Sequence, residues 1–256
     1  MLPLFKSDFS IGKSILNLEL PEKTKEKGSD SIFSIALAND LNNVILVEDC
    51  LTGFLQAHKN SESLGLSLIF GLRISTCADL NVDPKETERK DESKIIVFAK
   101  NDEGCKTLNR IYSLAFTEGQ GRIDYKNLKS FWNDHVLLAI PFYDSFIFNN
   151  SMSFGNCIPD FSFASPVFFL EDNSLPFEFS IRNKVKEYCL KNKYIIDEAK
   201  SIYYNRKEDF AAFQTYKCIC NRSFSSGETG LTNPRLEHCG SAEFSFESWR
   251  ENNETT

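Results

Sequence analysis

The chain has 256 residues, 41% hydrophobic and 25% charged, a balance that suits a soluble globular protein with a sizeable core. Its net charge of −7 argues against free-standing nucleic-acid binding, which needs clustered Lys and Arg to displace counterions. No apolar run reaches the roughly 20 residues that span a bilayer, and the opening MLPLFKSDFS has no signal-peptide layout, so a cytoplasmic protein without membrane contact is expected.

In chain order, Pro3–Lys6 reads as a short strand and Ser7–Ser14 as a polar turn. Ser31–Leu41 is a predicted helix with Ile32, Phe33, Ile35, Ala36 and Leu37 on its buried side. Val44–Val47 is the next strand, ending at Glu48, Asp49 and Cys50. Thr52–Leu64 reads as a helix closed by Gly65, and Leu66–Ile74 as a third buried strand. The polar stretch from Ser75 to Ser93 reads as a surface loop or a short hairpin.

The clearest unit follows. Lys94–Ala99 is an apolar run of the kind buried on both faces. Asn101 is placed to cap a helix, with Asp102 and Glu103 where the macrodipole favours negative charge. Cys105, Leu108, Ile111, Tyr112 and Ala115 recur at helical spacing, and Gly119 ends the element. Asp124–Trp132 reads as a short helix and His135–Ile140 as a strand. From Phe142 to Ser165 the pattern is weak, suggesting an irregular connection. Pro166–Leu170 is a strand, Phe177 to Cys189 an amphipathic helix, Tyr194–Ala199 a strand, and Lys207–Cys220 a final helix. Beyond Asn221 periodicity fades, and only Phe244, Phe246 and Trp249 look like anchors.

Alternating strands and helices without a Gly-rich dinucleotide fingerprint predict an α/β barrel of about seven units with parallel neighbouring strands. Chemistry in such folds sits at the strand C-terminal ends, here Lys6, Glu48, Asp49, Arg73, Lys100, Pro141, Glu171, Asp172, Ser201 and Tyr203. The eight cysteines lie mostly inside apolar runs and read as reduced thiols.

The run FAKNDEGCKTLNRIYSLAFTEG resembles a segment of the alpha subunit of bacterial replicative DNA polymerase III. LFKSDFSIGKS, VEDCLTG, LSLIFGLRI, KSIYYNRKEDFAAFQTYKCI and NPRLEHCGSAEFSFESW are similar, in the same order, to further segments of that family. The resemblance covers almost the whole chain. It implies the polymerase and histidinol phosphatase (PHP) domain, a distorted seven-stranded (β/α)7 barrel over residues 1–220, with residues 221–256 leading toward a polymerase palm.

Active PHP domains gather several metals through His, Asp and Glu at strand ends, because such a cluster needs converging N and O ligands. The positions that match those ligands are Leu4, Lys6, Glu48, Asp49, Arg73, Lys94, Ser201 and Tyr203. Most cannot ligate, and Lys6 and Arg73 bring positive charge, so a degenerate site with no catalytic residues and no cofactor is expected. Lys6 and Arg73 are expected to pair with Glu48, Asp49 or Glu171. Glu48, Asp49, Glu171 and Asp172 leave room for a single divalent cation. His58, His135 and His238 fall outside the strand ends. Cys218 and Cys220, with His238 and Cys239, have atypical spacing for zinc. Lys184, Lys186, Lys191 and Lys193 form a basic run on a helix face.

Two function classes follow. One is a non-catalytic structural and interaction domain in DNA replication, whose implied partners are the polymerase palm and thumb and the proofreading exonuclease subunit, with DNA reached only through the full polymerase. The other is a metal-dependent phosphoesterase or 3'-5' exonuclease with a rearranged site.

Overall fold

A computed structural model describes residues 1–24, 28–82, 91–220 and 240–254. The chain divides into two compact units, one of residues 1–69, 172–175 and 199–256, the other of residues 70–171 and 176–198.

In the first unit, β1 (Leu2–Phe5) and β2 (Asn43–Glu48) pair in parallel, with Leu4 opposite Ile45. Val44, Ile45, Leu46 and Val47 are all buried, as a strand covered on both faces requires. Between these strands lies α1 (Ile32–Ala38), started by Ser31, whose hydroxyl oxygen accepts the Phe33 and Ser34 amides. Ile32, Phe33, Ile35 and Ala36 form its buried face, whereas Leu37, expected there, is 42% exposed. Next comes α2 (Phe54–Ser63). β3 (Ser67–Cys77) begins here, and the last half of β8 (Ile195–Ile202) pairs in parallel with β1, Leu4 standing opposite Ser201.

The same unit contains α7 (Phe210–Cys220) and α8 (Phe246–Glu254). The segment before α8 is stitched to the end of β8. Tyr203 N–H donates to the Phe244 carbonyl and Phe246 N–H to the Tyr204 carbonyl, each at 3.0 Å. Phe244 stacks on Tyr203 at 5.2 Å, Phe246 on Phe5 at 5.9 Å, and the Trp249 indole N–H donates to the Met1 carbonyl at 3.1 Å. The three predicted anchors therefore cover β1 and the β8 exit. Residues 221–239, including His238, Cys239 and most of the NPRLEHCG motif, lie outside the described residues.

In the second unit, β4 (Ser93–Ala99) leads into α3 (Asp102–Thr117), then β5 (Arg122–Asp124), α4 (Tyr125–Phe131), β6 (Val136–Ile140), α5 (Phe146–Met152), β7 (Val167–Leu170) and α6 (Glu178–Asn192). Asn101 caps α3 by accepting the Gly104 amide at 3.1 Å. Leu108, Ile111 and Ala115 are buried as expected, while Cys105 and Tyr112 sit half-buried on the flank. Gly104 belongs to the buried face because the backbone before β6 passes over it, and a Cβ there would collide with the His135 carbonyl. Gly104→Ala is expected to cost about 1–3 kcal/mol, read as a lower denaturant midpoint. An unchanged midpoint would show that the α3 and β6 backbones separate freely.

The parallel-strand expectation fails at β4. It runs antiparallel to both β3 and β6, with Arg73 opposite Ile96 and Phe98 opposite Leu137. β3 and β4 form a direct antiparallel ladder joined through residues 78–92, and an antiparallel return needs no crossover helix. All other registered pairs are parallel, including β3 with β5, β6 with β7 and β7 with β8. The strand order is β2-β1-β8-β7-β6-β4-β3-β5 with β2 also pairing β3, so it is cyclic, as in barrel-type α/β folds.

Three elements escaped the sequence reading, among them α8 in the tail where periodicity fades. β5 has only three residues, and α5 lies inside the stretch expected to be irregular. α5 is held by tertiary packing. Ser145 caps it by accepting the Phe148 amide, and Phe146 packs edge-on to Tyr188 at 5.1 Å within a cluster that includes Phe161, Phe168 and Tyr194. Among the described residues no helix is long and apolar enough to cross a membrane.

Candidate functional site

Beyond β1 the chain turns through Ser7–Ser10, and beyond β2 it reaches Glu48 and Asp49. These two exits lie side by side because their strands are parallel neighbours. Lys6, 5% exposed, directs its Nζ to Asp49 Oδ1 at 3.1 Å. This is an ion pair the sequence led us to expect. Glu48 is fully buried, but its carboxylate is engaged elsewhere. It accepts the Ser7 amide at 2.8 Å and the Ser10 hydroxyl, and Ser10 Oγ accepts the Asp49 amide at 2.9 Å. Burial pushes the Glu48 carboxyl above its ordinary range, against the opposing pull of Lys6, Ser10 and Ser7. Glu48 therefore serves as a splint between two loops, and the SDFS turn supplies the donors.

A second buried charge immediately precedes Ser201 in the chain. Lys200 is wholly buried, and its Nζ donates to the Asp172 carbonyl at 3.2 Å and stands 3.7 Å from Glu243 Oε2. Burial works against the charge on Glu243, yet the Ser248 hydroxyl, Lys200 and Lys207 outweigh it and hold the carboxyl below its usual range. Leu4 is buried opposite Ile45 and Ser201, where it offers only hydrocarbon. Tyr203 is 8% exposed and sandwiched by Phe213 and Phe244 at 5.7 and 5.2 Å. Asp172 is exposed, and its Oδ1 accepts the Ser174 amide at 3.3 Å.

The remaining predicted positions lie in the second unit. Arg73 pairs with Asp144, an acid outside the set considered from the sequence. The Lys94 amide donates to the Asp144 carbonyl at 2.7 Å, so the loop after β6 binds both residues. Glu171 is buried, and its carbonyl accepts from the Arg182 guanidinium at 2.9 Å. Lys100, counted among the strand ends, is misplaced there. β4 runs the other way, and Lys100 Nζ reaches the Asp134 carbonyl at 2.9 Å near His135.

Four participants were missed by sequence reasoning. Ser10 and Asp144 looked like ordinary turn residues. Lys200 and Glu243 are distant in sequence, and a Lys in a strand gives no signal that it is fully buried. The polar SDFS run after an apolar strand was the one available hint. His58 stacks on Phe54 within α2, and His135 bonds Asn101 at 3.0 Å. Cys218 and Cys220 lie on α7 as free thiols. Among the described residues, no group of three or more His, Cys, Asp or Glu is arranged to hold a metal ion.

What this arrangement does chemically is tie loops together by charge and hydrogen bonds. No family model matches the chain, and no curated protein matches it.

Proposed function

We propose that this chain is a degenerate PHP-like module of a bacterial-type replicative DNA polymerase alpha subunit, with a structural and interaction role in place of hydrolysis. The observation that carries this reading is the ion pair of buried Lys6 with half-buried Asp49 at the ends of β1 and β2. In the family the chain resembles, these positions hold metal. Here a cation already occupies the space beside Asp49. At an effective dielectric of about 20 a lysine about 4 Å away opposes each unit of metal charge by roughly 4 kcal/mol, enough to remove orders of magnitude of affinity. The order of the resembling segments and the cyclic strand order support the PHP-type barrel within this reading. Its implied partners are the polymerase palm and thumb and the proofreading exonuclease subunit.

The test combines metal analysis of the purified chain with phosphatase and single-strand exonuclease assays in Mn²⁺, Zn²⁺ or Mg²⁺. Background turnover and substoichiometric metal are expected. Stoichiometric metal together with turnover abolished by Asp49→Asn would overturn the reading in favour of a rearranged metal-dependent phosphoesterase.

A further inference from the structure

In the second unit, α5 and α6 border a groove of about 390 Å³ floored by Phe146, Ile147 and Tyr188. Lys184 and Lys191 line it, seven residues apart and so on one face of α6, with Glu187 between them, which leaves the charged lining net positive. Lys184 Nζ donates to Ser151 Oγ at 2.9 Å, an uncharged acceptor that an incoming carboxylate would outcompete. From Glu178 to Lys193 there are five basic residues and two acidic ones, in a chain whose net charge is −7. The helix is thus a local positive ridge on an acidic protein.

The loop at the end of α5 adds a second feature. Phe154 is 90% exposed and holds a left-handed backbone at φ 51°, a conformation usually left to Gly at a helix end. It is fixed there. Gly155 N–H donates to the Asn149 carbonyl at 3.1 Å, and the Asn150 side chain bonds both the amide and the carbonyl of Cys157. A large apolar ring is therefore held outward three residues past Ser151, where folding alone gains nothing from it.

We propose that this groove docks a partner protein through a short acidic segment carrying one bulky apolar side chain. The apolar residue fills the space over Phe146, Ile147 and Tyr188, and flanking Asp or Glu side chains pair with Lys184 and Lys191. Charge complementarity selects this occupant. A concave apolar floor gives a phosphate backbone nothing to bind, and the acidic remainder of the chain repels a long polyanion. The proposal rests on this groove alone and stands whether or not the polymerase reading does.

The experiment pans a displayed library of random dodecapeptides against the full chain and measures the enriched peptides by fluorescence anisotropy. Enrichment of one Leu, Phe or Trp flanked by Asp and Glu is expected. A Lys184→Glu/Lys191→Glu double variant should bind such peptides about tenfold more weakly or worse, with an unchanged thermal midpoint because both side chains are exposed. Failure to enrich any sequence, enrichment of basic or uncharged sequences, or equal binding to the double variant would overturn the proposal. So would single-stranded oligonucleotide binding that depends on the two lysines while the peptides do not bind.

Discussion

Phe246→Ala is expected to lower the stability of the first unit by about 3–5 kcal/mol, and removal of residues 241–256 to abolish its cooperative unfolding. Phe246 is 2% exposed and stacks on Phe5 of β1, and Phe244 is fully buried against Tyr203. Truncating one ring leaves a cavity that the strands cannot close without breaking the β1 ladder. The full deletion does more, because it takes Glu243 from the wholly buried Lys200. Leaving a buried charge without its counterion costs about 3–5 kcal/mol by itself, and the two losses share neighbours, so they will not add simply. The chain's two tryptophans separate the units, since Trp132 follows α4 in the second and Trp249 lies on α8 in the first. A Trp132→Phe background makes Trp249 the reporter in a urea titration of Phe246→Ala. For the deletion, circular dichroism replaces it. A midpoint that stays put in either experiment would mean that α8 is an appendage and not part of the first unit's core.

The parts of this fold that could be read in advance share one property, a hydrophobic period long enough to recognise. Val44–Val47, Leu66–Ile74 and the face of α3 around Leu108 and Ile111 are of this kind. α5 has seven residues, about two turns, too few for a period to stand out, and it is defined by the aromatic cluster it joins. β5 forms because α3 delivers residues 122–124 to the edge of β3, which no local signal encodes. The direction of β4 is likewise a tertiary outcome. An apolar run such as IIVFA fits a ladder of either sense. The same division holds at the candidate site. The Lys6–Asp49 pair was legible because both residues sit just past neighbouring strands. Arg73 meets Asp144 because the reversal of β4 brings the loop after β6 to Lys94, so this pair depends on the strand direction that the parallel expectation had wrong.

Glu48 should make the protein's stability depend on pH in a direction opposite to that of a salt-bridged carboxylate. Burial raises its pKa above the ordinary 4.5, and Lys6, Ser10 and Ser7 reduce that rise without cancelling it. A carboxyl whose folded pKa exceeds its unfolded value binds its proton more tightly in the native state. Its contribution is then fully present below the unfolded pKa and is lost as pH rises through the folded one. Glu48→Gln has no proton to lose. Relative to wild type, the Gln variant should therefore gain stability from about pH 4.5 upward, by no more than about 1.4 kcal/mol per pH unit, and level off above the folded pKa. Glu48→Ala behaves differently because it removes the acceptor of the Ser7 amide and the Ser10 hydroxyl. Two buried donors left unpaired cost about 1–3 kcal/mol each, so Ala should be the least stable of the three at every pH, and the β1 and β2 exits should loosen together. Urea titrations of the three proteins from about pH 4 to about pH 8 separate these effects. Curves for Gln and wild type that stay parallel would sink the idea that Glu48 is held against ionisation. A Gln variant that loses ground as pH rises would show that Lys6 dominates and that the carboxylate is kept charged as its partner.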